Sequence, residues 1–144
     1  MVTFQTRTII EALKWIGKIK AWSWTSDPLA HNVLLDAQGE ILSIQAATGR
    51  AGLSLSMPCT TDSSSPRPLR VSLRFKDVEA IVSAAADAAQ LSELSMDENE
   101  SLVVFQGDGG FKATAGVLDG LVDDWFDVGT QDEEARFDVT SVIP

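Results

Sequence analysis

The order strand, helix, three further strands occurs twice along this chain of 144 residues, with a proline- and serine-rich segment between the two occurrences. Such a repeat restricts the fold more than any composition figure. Each unit offers an apolar helix stripe and an apolar sheet face that another layer must cover. In the first unit, Val2, Phe4 and Thr6 alternate on one side of a strand over residues 2–7. Thr8 is then expected to cap a helix that runs to about Trp22, with Glu11 in the capping-box position. Ile9, Ile10, Leu13, Ile16 and Gly17 fall on one face of that helix. Asp27-Pro28 breaks the chain into a loop over residues 22–29. Strands are expected over residues 31–36 and 41–47, separated by the Gln38-Gly39 turn. After Thr48-Gly49-Arg50 the alternation of Leu53, Leu55 and Met57 marks a third strand.

Residues 58–69 contain three prolines and three consecutive serines and read as a polar linker that builds no core. The order then recurs. A strand over 70–74 leads into a helix over 75–89, with Phe75, Val78, Ile81, Val82, Ala85 and Ala89 on one face. Strands follow over 91–96, 102–106 and 111–117, joined by turns at 97–100 and at Gly107-Asp108-Gly109-Gly110. A local similarity links the stretch from Arg7 to Leu13 with that from Arg74 to Ile81, allowing one inserted residue. The expectation is an α+β domain over residues 1–128, made of two βαβββ halves, 2–57 and 70–118. Its two helices lie side by side on one face of antiparallel sheets. Residues 129–144 form a tail.

The chain length suits one domain with a core of its own. No apolar run approaches the ~20 residues that span a bilayer, so no membrane role is expected. The start, Met1-Val2-Thr3-Phe4-Gln5-Thr6-Arg7, lacks the pattern of a signal peptide. Cys59 is the lone cysteine and has no partner in the chain for a disulfide. These features point to the cytoplasm. The net charge of −10 argues against nucleic acid only until its distribution is considered. Residues 1–76 carry nine Lys/Arg against five Asp/Glu, and residues 77–144 carry two against sixteen. A chain this asymmetric can present one basic face while the rest stays acidic, or the acidic half can serve only to keep it in solution.

At this point the order of elements resembles the first domain of the bacterial DNA polymerase III beta sliding clamp, over residues 2–128. The helix after Ile9 is followed by a proline-containing loop and by a strand ending in acid, His31-Asn32-Val33-Leu34-Leu35-Asp36. Gly39-Glu40-Ile41-Leu42-Ser43-Ile44-Gln45-Ala46-Ala47-Thr48 is similar to the family's glycine, leucine, alanine-threonine strand and turn. Glu100-Ser101-Leu102-Val103-Val104-Phe105-Gln106-Gly107 and Phe111-Lys112-Ala113-Thr114 resemble its paired strands. Asp123-Asp124-Trp125-Phe126 sits where the family leaves the domain. The specificity lies in the order and spacing of these segments together.

The resemblance implies a DNA sliding clamp, or polymerase processivity factor, that encircles duplex DNA as a homo-oligomeric ring. Family rings contain six such domains, with sheets outside and helices lining the hole. Beta clamps carry three domains per chain, and this chain carries one plus a tail. The expected partners are duplex DNA and a DNA polymerase or other replication proteins. A clamp holds DNA by topology, so a few scattered cations near the phosphates suffice. At ~100° per residue, Arg7, Glu11, Lys14 and Lys18 lie opposite Leu13 and Ile16, flanked by Trp15 and Trp22. Arg7, Lys14 and Lys18 are therefore the expected DNA contacts, with Lys20 beyond the helix end and Lys76 on the second helix. The second helix otherwise exposes Ala80, Ser83, Ala84 and Asp87, a less basic surface than the family's. The tail from Arg136 to Pro144 alternates like a strand. Phe137, Val139, Val142 and Ile143 are its expected contacts with a neighbouring copy, a partner or the chain's own sheet.

No catalytic constellation, metal site or cofactor is expected. His31 is the only histidine. Asp123, Asp124 and Asp127 read as a solvated acidic turn. Gly107-Asp108-Gly109-Gly110 precedes no helix and so lacks phosphate-cradle geometry. Ser63-Ser64-Ser65 has no base nearby in sequence. Trp24 and Trp125 are either partner contacts or buried. Two other functions remain open. One is a clamp-like module that closes no ring and regulates replication proteins. The other is an α+β protein-interaction domain without DNA binding.

Overall fold

A computed structural model describes residues 1–20, 32–47, 51–61, 69–118 and 137–142. The first unit comprises β1 (Val2–Gln5), α1 (Thr6–Lys20), β2 (Asn32–Gln38), β3 (Ile41–Ala47) and β4 (Ala51–Pro58), extended by the short β5 (Thr60–Thr61). The second comprises β6 (Arg70–Arg74), α2 (Phe75–Ser83), β7 (Glu93–Asn99), β8 (Leu102–Gln106) and β9 (Lys112–Gly116). The tail contributes β10 (Phe137–Val142). These form two five-stranded sheets, in the orders β5-β1-β7-β8-β9 and β10-β4-β3-β2-β6.

The two units exchange their first strands. β1 pairs with β7 of the second unit, Val2 opposite Met96 and Phe4 opposite Leu94. β6 pairs with β2 of the first unit, Val33 opposite Leu73 and Leu35 opposite Val71. Each sheet is thus a three-stranded meander from one unit completed by a strand from the other. The apolar sides of both sheets and both helices share one core, from Val2 and Phe4 through Ile16, Leu35 and Leu55 to Val82, Met96 and Phe105. The helices lie side by side: a methyl group placed on Gly17 of α1 would sit 3.7 Å from Phe75 Cζ of α2.

Two links join the sheets at their margins. The chain turns the corner from β4 to β5 at buried Cys59, whose amide donates to Glu40 O at 2.9 Å, before Thr60 and Thr61 pair with β1. Beyond β9, the Leu118 amide donates to Ser72 O of β6 at 2.9 Å. The first link revises the reading of 58–69 as a linker outside the core. Cys59 and Leu69 are buried, and 60–61 form a strand.

Other boundaries also moved. α1 begins at Thr6 and not after a Thr8 cap, so Glu11 is simply an exposed helical residue. The Thr6 hydroxyl donates to Leu91 O at 2.6 Å and the Thr6 amide to Ser92 O at 3.0 Å. Backbone acceptors from the other unit therefore hold this helix end. α2 ends at Ser83, and its continuation Ala84–Ala88 widens to the five-residue hydrogen-bond spacing of a π turn, with the Ala89 amide donating to Ala84 O at 3.0 Å. β7 continues through Asp97 and Glu98 to Asn99, paired with β8 as far as Asn99 opposite Leu102 and exposed beyond Met96, and the turn is left to Glu100 and Ser101. In the next hairpin Gly109 and Gly110 have φ of 74° and 83°, a conformation glycine adopts without strain.

The aligned helix starts, Thr6 and Phe75, also fix the internal repeat without any insertion. Ile9, Leu13 and Ile16 correspond to Val78, Val82 and Ala85, all buried. Arg7 then corresponds to Lys76, and Arg74 to Gln5.

Strand exchange makes β1 a shared element of the core. Phe4→Ala, at a side chain 2% exposed, is expected to destabilise the protein by about 3–5 kcal/mol in urea unfolding. A change below about 1 kcal/mol would show that β1 is not part of the cooperative core.

Candidate nucleic-acid interface

α1 divides into two arcs. Ile9, Ala12, Leu13 and Ile16 are buried; Arg7, Glu11, Lys14, Trp15 and Lys18 are exposed. The division follows from the 3.6-residue period, with the apolar positions turned to the sheets. Among the described residues the ion pairs are Arg70–Asp36, at 3.2 Å, and the Met1 ammonium with Asp97, at 3.7 Å. Neither involves the α1 cations, so Arg7, Lys14 and Lys18 are exposed and form no ion pair among the described residues. Lys20 is the last residue of α1, inside the helix and not beyond it; its side chain lies outside the described residues.

α2 presents a different surface. Phe75, Val78 and Val82 are buried, while Lys76, Asp77, Glu79 and Ala80 are exposed. In the repeat alignment Lys14 becomes Ser83 and Lys18 becomes Asp87. Only the cation at Arg7 has a counterpart, Lys76. The helix layer is therefore cationic along α1 and acidic along α2. Arg74, exposed at the end of β6 just before α2, adds a cation beside Lys76 that sequence reading overlooked. Aligning Arg74 with Arg7 had hidden it; counting from the helix starts reveals it.

The structure thus brings Arg7, Lys14 and Lys18 onto one surface and puts Lys76 at the start of the neighbouring helix. The proposed tail contacts Phe137, Val139 and Val142 lie on β10, which pairs in parallel with β4 of the same chain, Phe137 opposite Ala51 and Val142 opposite Ser56. Ile143 lies outside the described residues, as do His31, the serines at 63–65, Asp123, Asp124, Asp127, Trp22, Trp24 and Trp125.

A separate groove of about 220 Å³ lies at the β4–β5 corner, lined by Thr3, Phe4, Gln5, Thr8, Pro58, Cys59, Thr60 and Glu93. Its ionisable side chains are Cys59 and Glu93. Burial, and then the nearby Glu40 carboxylate, raise the Cys59 thiol above its ordinary value. Its Sγ lies 3.9 Å from Gly39 O. A thiol held neutral in this way is a poor nucleophile. Among the described residues no three His, Cys, Asp or Glu side chains gather as a metal site, and no helix is long and apolar enough to cross a membrane.

Strand exchange between two βαβββ units, with both helices adjacent, defines the fold of a sliding-clamp domain. Solved structures that share it include bacterial beta clamps. The Helicobacter pylori beta clamp in complex with 5-chloroisatin matches with a TM-score of 0.67 at 15% identity, covering 86% of this chain and 31% of that one. The DNA polymerase III subunit beta from Pseudomonas aeruginosa matches with a TM-score of 0.64 at 16% identity, over 84% and 31% of the two chains. The H. pylori beta clamp bound to a DNA ligase peptide matches with a TM-score of 0.65 at 16% identity, over 83% and 31%. The chain therefore spans about a third of the length of the clamp chains it matches, the size of one domain. No protein-family model and no curated protein sequence matches it.

The raised Cys59 thiol predicts slow chemistry. A free thiol is about half ionised near pH 8.5, whereas burial and the nearby Glu40 carboxylate leave folded Cys59 less ionised there. Labelling with a disulfide reagent at that pH should be at least tenfold slower in the folded protein than in urea. Equal rates would mean that the corner at Cys59 is open.

Proposed function

We propose that this chain is a DNA-contacting clamp domain that acts in a sliding clamp or polymerase processivity factor around duplex DNA. The observation that carries this reading is the α1 surface. In a chain of net charge −10, Arg7, Lys14 and Lys18 line up along one exposed helix arc with no ion pair among the described residues. That arc belongs to the helix layer that faces the hole in the ring-forming family. Three cations suit a sliding contact. They attract phosphates without the many simultaneous contacts that would fix the protein in place.

The acidic outward side of α2 limits the contact to one half of the domain. In a homo-oligomeric ring, α1 of each copy would approach the backbone and Asp77, Glu79 and Asp87 would stand off from it. The same feature favours a second reading, a clamp-like module that regulates replication proteins without closing a ring. The H. pylori clamp's complex with a DNA ligase peptide shows the kind of partner a clamp takes. For this chain, replication proteins as partners are part of the proposal.

Assembly depends on the sheet edges. β10 covers the outer edge of β4 by parallel pairing. A ring built through that edge requires β10 to leave it or to extend the contact. Uncovered edge strands pair readily with other chains.

Two measurements test this reading. Lys14→Glu/Lys18→Glu is expected to weaken duplex DNA binding at least tenfold in fluorescence anisotropy, and to lower the slope of affinity against salt by about 1–2. Unchanged affinity would remove α1 as the contact. Deleting residues 130–144 uncovers β4, and the mass from light scattering should then rise with protein concentration. A mass that stays constant would reject this edge as an assembly surface.

A further inference from the structure

Trp15 does not fit a purely electrostatic contact. It is 51% exposed, the one aromatic among the large apolar side chains that stand exposed in the described residues. It lies within the cationic arc: Lys14 precedes it, Lys18 is one turn on and Glu11 one turn back. Phosphates are held by cations alone. The bases of an intact duplex are stacked on one another and offer an indole no face. An unpaired strand offers both a phosphate line and free base faces, and stacking on an aromatic ring accepts any base. Cations flanking an exposed aromatic are the arrangement that single-strand recognition uses, and the polarity of the arc suits a polyanion better than an apolar protein groove.

We propose that the α1 surface binds single-stranded DNA, with a base stacked on Trp15 and the neighbouring phosphates held by Arg7, Lys14 and Lys18. This rests on α1 being the DNA contact and adds unpaired strands, through Trp15, to the duplex that its cations hold. A contact of this kind holds the domain at a stretch of exposed template, where a purely ionic contact would let it move freely.

The test is fluorescence anisotropy at low salt with a thymidine homopolymer and a duplex of equal length, on the whole chain. Trp15→Leu should weaken single-strand binding on the order of tenfold, the loss expected for one stacked base, and leave duplex binding within about twofold. Trp15→Phe keeps an aromatic face and should retain most of the single-strand affinity. Lys14→Glu/Lys18→Glu should weaken both. Because Trp15 is half exposed, both Trp15 variants are expected to fold, which thermal unfolding verifies. Unchanged single-strand affinity in Trp15→Leu, or an equal loss on duplex, overturns the stacking proposal and leaves the α1 contact standing. A wild-type chain that binds neither DNA overturns both. A Trp15→Leu protein that changes solution mass while binding DNA normally assigns the side chain to a protein contact and also overturns the proposal.

Discussion

The exchange of first strands between the two units is the constraint on which the rest of the structure depends. Without β6, the β2–β4 meander has a bare inner edge beside β2; without β1, the β7–β9 meander has one beside β7. Each half would also leave one helix stripe without its full cover. Exchanging the strands closes both gaps at once and forces α1 and α2 onto a common side, where Gly17 and Phe75 meet. The helix layer, and with it the candidate interface, is therefore a consequence of strand pairing. The same exchange explains why Thr6 reaches Leu91 and Ser92 for its hydrogen bonds. The start of α1 is anchored to the segment that leads into the strand beside β1.

The two helices have equivalent places in the fold and unlike surfaces. Their buried positions correspond, Ile9 with Val78 and Leu13 with Val82, because both stripes meet the same kind of sheet face. Their exposed positions do not: Lys18 corresponds to Asp87, and Trp15 to Ala84. Packing restricts the first set and leaves the second free. The result is a helix with exposed Arg7, Lys14, Trp15 and Lys18 beside one with exposed Lys76, Asp77 and Glu79.

Much of this was legible in the residue pattern. The strands Arg70–Arg74 and Leu102–Gln106 have the bounds their alternation suggests, and Ile41–Ala47 does too. The exposure of Arg7, Lys14 and Lys18 follows from helical period alone. What was not legible depended on distant partners. The start of α1 is held by Leu91 and Ser92 from the other unit, acceptors that no local pattern reveals. Cys59 and Leu69 are core residues because of where the chain turns, which the surrounding prolines and serines conceal. Pairing of β1 with β7 leaves no trace in either strand, since any alternating segment satisfies either neighbour. The exposure of Trp15 was equally hidden. A tryptophan beside a cationic helix face either folds under or stands out, and packing decides between them.

The pairing of Val2 with Met96 also sets a schedule for synthesis. At about 5–20 residues per second, a ribosome makes Met96 roughly 5–20 seconds after Val2. For that interval β1 lacks its β7 partner, and with it the strand opposite Phe4, and α1 lacks the cover of the second unit. The nascent chain therefore spends seconds in need of shelter, which a chaperone or the ribosome surface can give, before its last strands arrive to complete both sheets.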